Sequence, residues 1–222
     1  RKLKPTCRFY SAGSSEEFGD IEKVPQTLSH PLKPRSPYGA SKCAARHIVK
    51  VYRESYNLYT IHCVLFNHEG IRRGKQFVTR KITSNLARIK FELENNLVPT
   101  PFQLGNINVR RDWSDSEDFV EAIWIMLNQD HPKEYILSSN IDYSIKDFIN
   151  KTCEILQLVP SWKDDPNPLN TVLKINNHIV MTISKEFYRP ADIAIVRGNC
   201  EATLEQLNWK PKNSFHDLVK KM

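Results

Sequence analysis

Ser36-Pro-Tyr-Gly-Ala-Ser-Lys-Cys-Ala-Ala-Arg-His-Ile-Val-Lys-Val-Tyr-Arg-Glu-Ser-Tyr56, followed shortly by Ile61-His-Cys-Val-Leu-Phe66, is the stretch that decides the fold class. Ser36 offers a capping hydroxyl and Pro37 suits the first helical position, so a helix should begin there. Ala44, Ala45, Ile48, Tyr52 and Tyr56 recur at three- and four-residue spacing, which carries that helix to about Tyr56. The nearly unbroken apolar run from Ile61 to Phe66 then reads as a strand covered on both faces.

The same alternation extends outward in both directions. Cys7 to Ala12 reads as a strand running into the small polar turn Gly13-Ser14-Ser15-Glu16, and residues 20–36 as a long surface loop. A helix from about Phe77 carries Ile82, Leu86, Ile89 and Leu93 on one stripe. Ser114-Asp115-Ser116-Glu117 has the spacing of a capping box ahead of Phe119, Ile123 and Met126. Tyr135 to Ser138 is a short strand, and Ser144 opens a helix with Phe148, Ile149, Thr152 and Ile155 on one face. Residues 160–177, rich in proline and asparagine, read as irregular, with closing helices at Asn199–Leu207 and Phe215–Val219. Buried strands alternating with helices predict α/β architecture with parallel pairing.

Composition narrows the function. The chain has 222 residues, seven of them glycine, and no arrangement of these makes a G-x-G-x-x-G or G-x-x-x-x-G-K phosphate loop. Thirty-two Lys and Arg against 25 Asp and Glu leave +7, a field that suits nucleic acid, an anionic membrane or a phosphorylated small substrate. The basic residues are scattered in short clusters such as Arg72-Arg73 and Arg110-Arg111, without a helix of base-reading side chains, so nucleic acid is not expected as a partner. No run approaches the ~18 apolar residues of a membrane span. Five widely spaced cysteines form no C-x-x-C pair and no zinc spacing, which reads as free buried thiols in a reducing compartment, with no metal site. No apolar run follows the first charged residues, so no signal peptide is expected and the location is read as cytoplasmic.

Tyr38 and Lys42 lie at i and i+4 and share a helix face. An ammonium close to a phenol favours the phenolate, which makes Tyr38 a candidate general base towards an alcohol. Upstream, the first strand ends on the Ser14 and Ser15 hydroxyls and the Glu16 carboxylate, at the end of a strand where open α/β sheets place ligands.

Phe9-Tyr-Ser-Ala-Gly-Ser-Ser-Glu-Glu-Phe-Gly19 with Pro34-Arg-Ser-Pro-Tyr-Gly-Ala-Ser-Lys42 resembles the extended short-chain dehydrogenase/reductases that act on nucleotide sugars. Four further blocks, Leu65–Gly74, Phe77–Ile82, Leu104–Trp113 and Phe187–Pro190, narrow the resemblance to the GDP-mannose 4,6-dehydratase family, and Leu207–Pro211 also fits. The resemblance implies the C-terminal part of an NAD(P)-binding Rossmann fold with a smaller α/β substrate-binding lobe. Residues 1–70 would belong to the Rossmann domain. Residues 71–222 would mainly form the nucleotide-sugar lobe, interleaved with late Rossmann elements at about 105–140. About a third of a complete enzyme, with the glycine-rich fingerprint, would then precede the first strand.

It further implies conversion of GDP-mannose, or a related GDP-sugar, to the 4-keto-6-deoxy sugar through NADP, in a homodimer or tetramer. By this match Ser14, Glu16, Tyr38 and Lys42 are catalytic, and Tyr38, Lys42, His68 and Arg73 meet the cofactor. Asn67, Val78, Lys81, Gly105, Arg111, Arg189 and Asp192 meet the substrate. Departures from the family pattern are Ser14 where Thr is common, Glu69-Gly70-Ile71 for Glu-Ser-Pro, a longer segment from Glu94 to Pro101, and Asp192 for Glu. The alternatives left open are a GDP-4-keto-6-deoxysugar reductase or epimerase of the same superfamily, and a non-catalytic fragment or paralogue serving as a binding or assembly module.

Overall fold

The structure, a computed structural model, describes residues 2–188 and 193–222. In chain order the elements begin with β1 (Phe9–Ala12), α1 (Pro37–Tyr56), β2 (Thr60–Leu65), β3 (Asn67–Glu69), α2 (Val78–Glu94) and β4 (Phe102–Leu104). Next come β5 (Arg110–Arg111), β6 (Trp113–Asp115), α3 (Ser116–Leu127), β7 (Glu134–Leu137), β8 (Tyr143–Ser144) and α4 (Ile145–Ile155). The chain closes with β9 (Ser161–Lys163), β10 (Val172–Ile175), β11 (His178–Ile183), β12 (Ile195–Val196), α5 (Glu201–Leu207) and α6 (Phe215–Lys221). These elements divide into two compact units interleaved along the chain.

The first unit takes the described residues of Arg1–His68, Arg111–Asp142 and Ile195–Ser214. Its sheet runs β1-β2-β7, with both pairings parallel. Register sets Ser11 opposite His62 and His62 opposite Glu134. Every residue of β2 is buried, as the apolar run predicted. Ile61, Cys63 and Leu65 pack with Phe119, Ala122 and Met126 of α3, with Tyr135 and Leu137 of β7, and with Leu207 and Trp209. α1 starts on a Ser36 cap with Pro37 in its first turn and stops at Asn57, which takes the left-handed conformation (φ 50°).

The periodicity located α1, but the residues that carry it are not the buried face. Gly39, Arg46 and Val49 are buried, whereas Ile48, Tyr52 and Tyr56 are exposed. Ile48 and Tyr52 instead line an open apolar groove of about 450 Å³ with Phe9, Ala45, Val49 and Leu58.

The second unit takes the described residues of Glu69–Arg110, Tyr143–Ala194 and Phe215–Met222. Its four-stranded sheet runs β4-β11-β10-β9, parallel at β4–β11 and antiparallel elsewhere. Ile82, Leu86 and Ile89 of α2 and Phe148, Ile149 and Cys153 of α4 are fully buried, and Phe215 of α6 stacks on Tyr143 with centroids 3.8 Å apart. Two expectations change here. Residues 160–177 contain β9 and β10, because pairing with the unanticipated β11 organises a window whose composition reads as loop. In the first unit, Asp115 rather than Ser114 caps α3, accepting the Glu117 N–H at 2.8 Å, because the chain is still extended at Asp115 (φ −78°, ψ 132°) and the helix begins only at Ser116.

All five cysteines are free, but Cys7 is exposed and Cys43 half-buried, so only Cys63, Cys153 and Cys200 are the buried thiols expected. Among the described residues no helix is long and apolar enough to cross a membrane, and no cluster of His, Cys, Asp and Glu could hold a metal ion.

Candidate active site

In the first unit, four sequence-predicted residues meet where β1 ends. The chain leaves β1 through Gly13 and makes one 3-10 turn, Ser15–Glu17. Ser14 caps it: its Oγ accepts the Glu16 N–H at 3.2 Å, and Glu17 reciprocates by accepting the Ser14 N–H at 2.8 Å. This closes a capping box. Because the Ser14 Oγ is engaged as an acceptor, its own proton can be donated outward. Glu16 is exposed, and Ser14 and Ser15 are half-buried.

The first turn of α1 presses on this turn. A Cβ on Gly39 would meet the Glu16 carbonyl oxygen at 2.5 Å, so glycine is what lets the helix approach. Cys43 donates its thiol to the Glu17 carbonyl (3.4 Å), and Lys42 donates Nζ to the Ala12 carbonyl at 3.0 Å. The Lys42 ammonium lies 5.5 Å from the centroid of the Tyr38 ring, and Tyr38 is 54% exposed. A phenol, an ammonium, a hydroxyl and an exposed carboxylate therefore gather at the C-terminal end of one parallel strand. Such a set can take a proton from an alcohol and from a carbon acid.

Of the other residues expected here, Asn67 and His68 are half-buried in β3. His68 holds Nδ1 2.9 Å from the Phe66 carbonyl and its ring 5.4 Å from that of Phe119. Arg111, in β5, is half-buried and engaged in an interaction of its own.

In the second unit, Arg73 pairs through Nε with Glu69 at 2.9 Å and lies 3.6 Å over the Phe77 ring. Burial holds the Glu69 carboxyl above its usual range, against Arg73 and the Thr79 hydroxyl. Val78 is the first residue of α2, and Lys81 one turn on lies 4.2 Å over the Phe187 ring. Burial pushes the Lys81 ammonium below its ordinary value, opposed by Glu186. Gly105 faces the same residue, since a Cβ there would meet the Phe187 carbonyl oxygen at 2.1 Å. Lys81 and Gly105 are thus brought together around Phe187, whose aromatic ring inside a quoted block was the signal for it. Arg189 and Asp192 lie outside the described residues.

Sequence reasoning missed a buried polar cluster beneath the turn. Glu17 and His62 are both fully buried, with Nε2 3.0 Å from Oε1. A histidine interrupting an all-buried strand was the available signal. Asp112, inside the Leu104–Trp113 block, was also passed over. It is fully buried and accepts the Ser139 N–H at 2.6 Å. Burial pushes its carboxyl up to about 7, against hydrogen bonds from Ser139, Gly198 and Asn140.

A family model described as GDP-mannose 4,6 dehydratase matches residues 1–222. GDP-mannose 4,6 dehydratase 1 of Arabidopsis thaliana is 41% identical over 215 residues, 97% of this chain and 53% of that protein. The Homo sapiens GDP-mannose 4,6 dehydratase is 37% identical over 218 residues, 98% of this chain and 57% of that protein. The chain thus spans little more than half the length of these relatives. The solved structure of RMD from Pseudomonas aeruginosa, complexed with NADPH, superimposes with a TM-score of 0.77 at 20% identity, covering 97% of this chain and 65% of that one. The fold is accordingly that of the extended short-chain dehydrogenase/reductases, as the sequence blocks implied.

Proposed function

Since the chain belongs to the GDP-mannose 4,6-dehydratase family, we propose that the protein converts GDP-mannose, or a related GDP-sugar, into its 4-keto-6-deoxy derivative by internal oxidation and reduction. The observation that carries this reading is Glu16, exposed on a turn seated against the helix that bears Tyr38 and Lys42.

A nicotinamide cofactor, which we assign as NADP, supplies when bound the oxidant for C4 and the reductant for C6. The donor set suits its nicotinamide ribose: Lys42 shares a helix face with Tyr38 and already holds the Ala12 carbonyl at the end of β1. We assign Lys42 to the ribose hydroxyls, with His68 and Arg73 lying against the cofactor.

The chain's own groups move the protons. Tyr38 takes the proton of the C4 hydroxyl, while Ser14 donates its O–H to the same oxygen. With C4 a ketone, the C5 proton is acidic and Glu16 removes it. The C6 hydroxyl then departs as water, protonated by Glu16; on reduction at C6 a proton is taken up at C5 while the one held by Tyr38 is released, so both groups return to their starting state. Simple reduction of a 4-keto sugar needs no C5 base, and Glu16 favours dehydration over it. Asn67, Val78, Lys81, Gly105 and Arg111, with Arg189 and Asp192, would recognise the GDP moiety, guanidinium forks matching diphosphate oxygens. The five free thiols support a cytoplasmic setting, and a dimer or tetramer belongs to the same proposal.

Incubation of the full-length protein with GDP-mannose and NADP⁺, without added NADPH, should give a 4-keto product one water lighter by mass spectrometry. Glu16→Gln should lower that rate by roughly 10²- to 10⁴-fold, the usual worth of a positioned acid–base group. No ketone from the unmutated protein would overturn the reading in favour of a binding or assembly module. An unaffected Glu16→Gln would remove Glu16 from the mechanism.

A further inference from the structure

The proposed chemistry leaves a buried charged cluster unused. Glu17 follows Glu16 directly, yet Glu16 is exposed and Glu17 fully buried. One Glu17 oxygen, Oε1, accepts the Ser14 backbone N–H at 2.8 Å and lies 3.0 Å from Nε2 of His62. A carboxylate can only accept, so Nε2 carries the proton between them. The far ring nitrogen, Nδ1, is 3.2 Å from the Ser11 Oγ. Oε2 faces Arg46 Nη1 at 4.0 Å, and Arg46 in turn binds Glu134 at 3.0 Å, with Arg53 3.7 Å from Glu134. The turn itself rests on this assembly: a Cβ on Gly13 would meet His62 Nε2 at 2.5 Å and Glu17 Oε1 at 2.7 Å.

Burying an ionisable pair in this way rarely stabilises a fold more than apolar side chains of the same volume would. What the pair does locally is specific. It fastens the backbone N–H of the residue whose hydroxyl caps the turn, and so fixes both that hydroxyl and the outward path of Glu16. We infer that Glu17, held by His62, is a positioning residue that aims Ser14 and Glu16 for proton transfer. The inference rests on the dehydratase reading for its role in turnover, but not for its structural content.

The test uses the full-length protein and two variants, Glu17→Leu and Glu17→Leu/His62→Leu. The double variant replaces the buried pair by apolar side chains and so restores packing without restoring the acceptor for Ser14. Both should show Ser14 amide hydrogen exchange accelerated by about 10- to 100-fold while β7 amides are unchanged in the double variant. Both should also lose about 10-fold or more in kcat for GDP-mannose with KM nearly unchanged. Recovery of kcat and of Ser14 protection in the double variant would overturn the inference and leave the pair a packing feature. So would Ser14 exchange as slow as in the unmutated protein in either variant. If the unmutated protein makes no ketone, the dehydratase reading fails by itself, and Ser14 exchange alone decides whether Glu17 anchors the turn.

Discussion

Glu16 and Glu17 are neighbours of identical chemistry with opposite surroundings, one turned to solvent and the other enclosed with His62. What separates them is the 3-10 turn, which rotates successive side chains by about a third of a circle. Asp112 shows the cost of the enclosed state. Burial lifts its carboxyl to about 7, well above that of an unfolded aspartate. Its proton therefore favours the folded chain fully below about pH 4, and that contribution is lost as pH rises through about 7. Each pH unit in between should cost about 1.4 kcal/mol. Asp112→Asn keeps an acceptor for the Ser139 N–H and removes the titration. Urea unfolding at a series of pH values should show the unmutated protein losing stability from pH 5 to pH 8 relative to Asp112→Asn; parallel pH profiles would refute this account.

At the scale of elements, ends are set by caps and faces by neighbours. α4 begins on Ser144, whose Oγ accepts the Asp147 N–H at 2.9 Å while Asp147 accepts the Ser144 N–H at 2.8 Å. Ser144→Ala should destabilise the protein by about 1 kcal/mol, with faster amide exchange confined to the first turn of α4. An unchanged melting curve would mean that packing of Phe148 and Ile149 alone holds the helix. α1 and α4 were legible because both cap signals and periodicity are local. The buried side of α1 was not, because β2 and the 3-10 turn, against which it packs, decide which helix face is covered. The strands β9 and β10 escaped notice for a related reason. The pairing of β9 with β10, of β10 with β11, and of β11 with β4 far back in the chain supplies order that the local composition does not display.

Over the whole molecule, two units draw on interleaved segments and each has apolar side chains buried within it. Leu137 is fully buried in the first unit's core, against Phe119, Met126 and Leu207 among others. Leu137→Ala should cost about 2–5 kcal/mol by urea unfolding, the range for a large-to-small change in a packed core. A loss below 1 kcal/mol would mean that the site collapses around the vacancy.

By itself the sequence determined the α/β class, the capped helix that carries Tyr38 and Lys42, the fully buried strand β2, and membership of the family. Each follows from residue spacing within a short window or from blocks of residues read in order. Only the tertiary structure decided which glutamate is enclosed, which face of α1 is covered, and that Lys81 and Gly105 meet at Phe187. It also disclosed the Glu17–His62 pair, whose members stand 45 residues apart. The physical reason is the same in each case: the environment of a side chain is built by groups distant in sequence, and burial depends on that environment, whereas helix starts and strand runs are written locally.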